Sequence, residues 1–248
     1  MANDNIIFGI NPIQHLLTHS ADKILEISVS ASKTDNRVQA IIDQAKQHDI
    51  AVQRIDVKKL DQMFNDQNHQ GIIAKIKPTA ILTESALKEL VNSTSRPLFL
   101  ILDGVQDPHN FGACLRTADA AGVTAVIIPR DNAVGITPVV RKVASGAADT
   151  IPIVQVSNLA RAMRDLQELG VWIVGTAADC EQSIYEQDFT GASAIVLGAE
   201  GTGMRQLTAK HCDFLANLPM LGQIESLNVS VAAGICLYEA VRQRMGKD

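Results

Sequence analysis

Three polar stretches in the second half of the chain hold the residue types that bind and activate polar ligands. Residues 103–112 read DGVQDPHNFG, with Arg116 six positions beyond Asn110. Residues 198–204 read GAEGTGM and carry Glu200. Residues 218–228 read LPMLGQIESLN and end on Ser226 and Asn228, with Ser230 just beyond. All three are rich in Gly, Pro, Asn or Asp, which lets backbone come close to a ligand. An arginine beside such a loop suits a phosphate or carboxylate clamp. The spacing of Asn110 and Arg116 fits two side chains aimed at one pocket, or an inter-helix salt bridge for Arg116. Glu200 fits either a polar ligand contact or a carboxylate resting on a helix N-terminus.

Several other chemistries lack their residues. GAEGTGM is not the G-x-G-x-x-G dinucleotide fingerprint, and no P-loop lysine exists. His15 and His19 have the four-residue spacing of two metal ligands, but no third ligand is near and no H-E-x-x-H pattern occurs, so no metal is expected. His109 has Asp107 beside it without a nucleophile signature. Cys114, Cys180, Cys212 and Cys236 form no C-x-x-C pair and read as buried free thiols.

The elements that must position the three stretches read as an α/β domain. LFLILDGV, AVIIP, PIVQV, VWIVGTA, AIVLGAE and FLANLPM are short apolar runs, with helical periodicity between most of them. Continuous apolar strands alternating with helices predict a parallel sheet covered on both faces. Each polar stretch then follows the carboxyl end of a strand, where open parallel sheets bind ligands. DPHNFG is expected as loop before the helix ACLRTADAAG, and TPVVRKVASGAAD as a helix started by Thr137 and Pro138. The last helix should begin near Ser226 or Asn228 and, apolar nearly all round from Val231, should be buried.

Residues 1–77 read as a smaller α/β unit. A helix covers INPIQHLL, strands cover ILEISVS, AVQRIDV and HQGIIAKIK, and helices cover Asn36 to His48 and DVKKLDQMF. Lys58, Lys59, Lys75 and Lys77 form either a modest basic patch or an ordinary solvated surface. The polar stretch 78–96 reads as the join to a second domain, 97–248. With 46% apolar and 20% charged residues the chain is of globular composition. No apolar run reaches the roughly 18 residues of a membrane span, and MANDNIIFG has no signal-peptide core. A cytoplasmic location is expected. A net charge of −5 gives no global attraction for nucleic acid, so RNA affinity would rest on local patches.

DGVQDPHNFGACLRTADAAG, AIVLGAEGTGM and LPMLGQIESLNVSVAAGICLYEAVRQR resemble, in order and separation, the three motifs of the SpoU/TrmH family of RNA ribose 2′-O-methyltransferases. FGINPIQHLL and HQGIIAKIKP extend the resemblance into the first half. It implies a SPOUT-type parallel sheet with helices on both faces and a C-terminal trefoil knot, preceded by a small α/β domain like ribosomal protein L30e that binds RNA. It implies S-adenosylmethionine as cofactor, a homodimer, and 2′-O-methylation of a guanosine in large-subunit (23S) ribosomal RNA; a tRNA or another rRNA is the alternative substrate. Carried across by position, Asn110, Arg116, Glu200, Ser226 and Asn228 are the catalytic set. Gly198, Glu200, Gly201, Leu218, Met220 and Leu227 face the cofactor. One departure stands out: GQIES replaces a smaller Ser/Gly-rich run expected before SLNVS.

Overall fold

The computed structural model describes residues 6–31, 35–58, 60, 69–77 and 81–245. In chain order the elements are β1 (Ile6–Phe8), α1 (Ile10–His19), β2 (Ile24–Ser30), α2 (Asn36–Gln47), β3 (Ala51–Ile55), β4 (Ile72–Ile76), α3 (Leu87–Asn92) and β5 (Leu98–Asp103). Then come α4 (Pro108–Ala120), β6 (Ala125–Pro129), α5 (Pro138–Ala144), α6 (Ala147–Thr150), β7 (Ile153–Val156), α7 (Leu159–Glu168) and β8 (Trp172–Thr176). The chain ends with β9 (Ser193–Gly198), α8 (Gln206–Lys210), β10 (Phe214–Ala216) and α9 (Val229–Met245). It divides into two compact units, 1–80 with 136–150, and 81–135 with 151–248.

In the first unit the sheet runs β1-β4-β2-β3, with β2 and β3 parallel and β4 antiparallel to both its neighbours. α1 and α2 contribute Ile13, Leu16, Leu17, Val38, Ile41 and Ala45 to its core, the i, i+3, i+4 stripes visible in the sequence. Asp35 caps α2 by accepting from the Arg37 amide at 2.9 Å. The three-residue β1 is too short to show a periodicity in the sequence. The helix expected over DVKKLDQMF lies largely outside the described residues, as does Lys59. Lys58, Lys75 and Lys77 are exposed, and Lys75 pairs across the sheet with Glu26.

Segment 136–150, expected within the second domain, is a folded part of this first unit. It is two helices, not one. The break falls at Ser145 and Gly146, both at positive φ (54° and 103°). A Cβ on Gly146 would stand 2.4 Å from the His15 ring nitrogen Nδ1, so glycine is required there by both backbone and space. Arg141 and Asp149, both buried, form an ion pair across the break. Lys142 lies over the Phe8 ring at 5.1 Å, within cation–π range.

The second unit has a six-stranded, wholly parallel sheet, β10-β8-β9-β5-β6-β7, with helices covering its apolar strands, as expected. Residues 81–96, expected as a join, belong to its fold. Leu82 bridges to Val154, and Leu87 and Val91 of α3 enter the core. Glu84 accepts from the Ser157 hydroxyl and amide at 2.8 and 2.7 Å. The Ser157 hydroxyl chiefly holds the Glu84 carboxyl below its ordinary pKa. α9 packs on α4 and β9. Its end is pinned by Arg244, which donates to the carbonyls of Phe189, Arg96 and Gly191 at 2.8–2.9 Å.

α9 is not buried all round. Val231, Tyr238 and Met245, seven residues apart, are 50%, 49% and 79% exposed, while Ala233, Cys236, Leu237 and Ala240 face the core. The sequence could not separate the two faces because both are apolar.

Candidate functional site

β5 ends in Asp103, whose side chain is buried and accepts from Arg205, from its backbone amide at 2.9 Å and from Nε at 2.7 Å. Neither residue belongs to the polar set expected to do the chemistry. An acid closing an otherwise apolar strand was the available signal, since a buried carboxylate requires partners. This pair ties the end of β5 to the end of the 199–205 loop.

α4 begins at Pro108, so Pro108–Gly112 are helix and not loop. Asp107 caps it by accepting from the His109 amide at 2.7 Å, and proline is favoured at the first helical position. Asn110 therefore sits on the first turn, buried. Six residues are one and two-thirds turns, which turns Arg116 about 120° away from Asn110. Arg116 is exposed and has no hydrogen bond or ion pair to any described residue. The spacing thus does not aim both into one pocket.

The 198–204 loop folds tightly on itself. Ala199 and Gly203 exchange backbone hydrogen bonds at 3.2 and 2.9 Å, with Gly201 and Gly203 at positive φ. A Cβ on Gly198 would lie 2.1 Å from the Gly203 carbonyl carbon and the Met204 nitrogen, closer than any side chain permits. The fold of this loop brings Glu200 to the start of α9.

There Asn228 joins the three stretches. Its Nδ2 donates to Asn110 Oδ1 at 2.9 Å and to Glu200 Oε1 at 2.5 Å. Its Oδ1 accepts from the Ser230 amide and hydroxyl at 2.9 and 2.6 Å, capping α9 as anticipated. Asn110, Glu200 and Asn228 are thus one hydrogen-bonded cluster. Ser226 is exposed and makes no hydrogen bond to a described residue.

A cleft of about 460 Å³ opens on this cluster. It is lined by Asn110 and Glu200, and further by Gln106, Asp107, Asn132 and Arg205. This volume is in the range of small-molecule sites. Of the residues expected at the cofactor, Glu200 lines the cleft; Gly198, Gly201, Leu218, Met220 and Leu227 do not. They lie at the end of β9, after β10 and before α9, with Leu218, Met220 and Leu227 half-buried. A Cβ on Gly201 or Gly222 would meet nothing within 4 Å, so these loops present open backbone beside half-buried apolar side chains, a surface that fits a nucleoside-bearing cofactor. Among the described residues no His/Cys/Asp/Glu group can hold a metal. His15 and His19 stack on each other at 4.4 Å. Burial raises the thiols of Cys114, Cys212 and Cys236 to about 12, so none serves as a nucleophile near neutral pH.

The parallel sheet, the glycine-folded loop and the polar cluster at the strand ends are those of an RNA methylase. The SpoU rRNA Methylase family model matches residues 97–238, and the chain belongs to that family. A model for RNA 2′-O ribose methyltransferase substrate binding matches residues 6–81. The chain is 52% identical, over 98% of its length and 99% of the relative's, to a 23S rRNA (guanosine-2′-O-)-methyltransferase RlmB of Shewanella oneidensis. It is 50% identical to that of Pseudomonas putida, covering 97% of each chain. Among solved structures, an RNA 2′-O ribose methyltransferase matches with TM-score 0.78 at 25% identity, covering 97% of this chain and 88% of the other. The SpoU methyltransferase AviRb from Streptomyces viridochromogenes, in complex with the cofactor AdoMet, matches in fold with TM-score 0.77 at 20% identity, covering 97% and 90%.

Proposed function

We propose that this protein transfers a methyl group from S-adenosylmethionine to the ribose 2′-hydroxyl of a guanosine in 23S ribosomal RNA. The observation that carries the reading is the Asn110–Asn228–Glu200 cluster at the strand ends, whose Asn110 and Glu200 line a cleft. The 52% identical relative carries the same named activity over nearly its whole length.

S-adenosylmethionine would supply an electrophilic methyl carbon when bound, and Gly198, Glu200, Gly201, Leu218, Met220 and Leu227 would hold it, with backbone amides beside Gly198 and Leu218 suited to its adenine. The chain's residues then have to present a 2′-oxygen. Asn228 spends its two donors on Asn110 and Glu200, which fixes both side chains. The Asn110 amide remains free to donate to the ribose. The second Glu200 oxygen accepts from the 2′-hydroxyl and orients its lone pairs. Much of the acceleration comes from this alignment. Ser226 contacts the incoming ribose or the cofactor from the 218–228 loop. Arginine is a poor base, and Arg116 is exposed, so it acts through its charged planar fork of donors, holding an RNA phosphate next to the reacting nucleotide.

The finer architecture belongs to the same reading. α9 follows the edge strand β10 yet packs on α4 and β9, and its residue Gln243 is hydrogen-bonded to 187 and 189; a trefoil knot accounts for this return. The first unit serves as an L30e-like RNA-binding domain, consistent with the substrate-binding family match over residues 6–81, and the second unit as the catalytic domain. The protein works in the cytoplasm; among the described residues no helix is long and apolar enough to cross a membrane. The exposed stripe Val231, Tyr238, Met245, with Leu221 and Ile224 nearby in sequence at 98% and 64% exposure, supports a twofold homodimer. Sedimentation at micromolar concentration should give twice the 26.7 kDa chain mass, and Tyr238→Asp should shift it toward monomer. A wild-type monomer at that concentration would exclude the dimer.

The activity itself is tested by incubating the protein with methyl-labelled S-adenosylmethionine and unmodified 23S rRNA. Label should enter the RNA and survive base removal, as a ribose methyl must.

A further inference from the structure

Besides Asn110 and Glu200, the lining of the cleft includes Gln106, Asp107 and Asn132. These come from two loops, 104–107 after β5 and 130–135 after β6. The loops are joined by a hydrogen bond from the Val134 amide to the Val105 carbonyl at 3.2 Å. They also approach closely at Gly104, where a Cβ would stand 3.9 Å from the Asn132 carbonyl oxygen. Asn132 is in the left-handed region at φ 59°, which asparagine tolerates.

The polar groups of the cleft differ in how far they are already used. Asp103 is spent on Arg205. Glu200 gives one oxygen to Asn228. Asp107 gives Oδ1 to the His109 amide, and its other oxygen has no partner among the described residues. The side-chain amides of Gln106 and Asn132 likewise have none. All three residues are exposed to the cleft solvent. One carboxylate oxygen and two amides therefore stand uncommitted in the lining of the cleft that Asn110 and Glu200 also line.

In a nucleotide the base is joined to the carbon next to the one bearing the 2′-hydroxyl. With that hydroxyl at Glu200, the base extends along the same cleft. Single-stranded RNA is read through hydrogen bonds to such exposed base edges. A carboxylate accepts only, whereas an amide both donates and accepts. Guanine's pairing edge offers two adjacent donors, N1–H and N2–H, beside the acceptor O6. No other base offers that order.

We propose that Asp107 and Asn132 read the guanine of the target nucleotide, Asp107 accepting from N1–H and N2–H and the Asn132 amide donating to O6. Gln106 shields this edge from water. The inference rests on the methyl-transfer reading above and adds the residues that select the base.

The test compares target RNAs with guanosine or inosine at the methylated position, inosine lacking only the 2-amino group. Methyl transfer and binding in the presence of S-adenosylhomocysteine are both measured. Asp107→Asn keeps a good helix cap, and Asn132→Gly keeps the left-handed turn. Wild type should prefer guanosine over inosine by about tenfold, the worth of one hydrogen bond to a charged group. Asp107→Asn should erase that preference in both measurements. Asn132→Gly should weaken guanosine and inosine RNAs about equally, because both retain O6. A variant too slow to assay is judged on the binding ratio. If Asp107→Asn keeps the full guanosine preference, the cleft lining does not read the base. If wild type methylates neither RNA, the methyl-transfer reading fails instead.

Discussion

Gly198→Ala is expected to weaken cofactor binding by on the order of 100-fold while leaving the parallel sheet folded. The added methyl would lie 2.1 Å from two backbone atoms of Gly203 and Met204. No rotamer change relieves a clash with backbone. The paired amides of Ala199 and Gly203 must separate, and Glu200 would leave Asn228. Overpacking of this kind costs roughly 1–3 kcal/mol or more. Concentrated on one loop, that weakens a ligand held by the loop by on the order of 100-fold. Calorimetry with S-adenosylmethionine reads the loss, and circular dichroism checks the sheet. Wild-type affinity in Gly198→Ala would mean the loop is not part of the cofactor site.

Arg116→Ala should lower kcat/KM by about 100-fold or more, the range seen when one preorganised charge donor is removed, with cofactor affinity unchanged. Arg116 is exposed on α4 with no described partner, so its loss costs little stability. Its proposed partner is an RNA phosphate, so the variant should also show a salt dependence of RNA binding shallower by about one counterion. Arg116→Lys should recover little, because an ammonium lacks the planar fork of donors. Near-normal turnover by the lysine variant would reduce the role to charge alone. Loss of cofactor binding in Arg116→Ala would place the residue at the cofactor instead.

The sequence carried most of the second unit. Its strands are unbroken apolar runs such as Leu98–Asp103 and Ser193–Gly198, and a parallel sheet follows from burial on both faces. The helix starts at Thr137 and Asn158 were legible because each cap is a local side-chain hydrogen bond. What escaped depended on distance in sequence. The inclusion of 136–150 in the first unit rests on Gly146 fitting His15, a match between residues 131 positions apart that no local pattern signals. Residues 81–96 looked like a join because only Leu82, Leu87, Leu90 and Val91 mark their packing. DPHNFG has loop-like composition, but the Asp107 cap starts α4 at Pro108, so Asn110 is helical. For the site, motif spacing brought Asn110, Glu200 and Asn228 together correctly. It did not tell which way Arg116 points, because helical rotation and not proximity in sequence sets that. The Asp103–Arg205 tie was invisible because it joins residues 102 positions apart.

The most direct measurement of the central claim is a map of 2′-O-methylation on total RNA from cells lacking the gene, with and without the wild-type protein restored. The account predicts that one guanosine of 23S rRNA loses its 2′-O-methyl group in the deletion. It should regain that group with the wild-type protein and stay unmethylated with Arg116→Ala. An unchanged 23S rRNA together with a lost 2′-O-methyl group on a tRNA would contradict it.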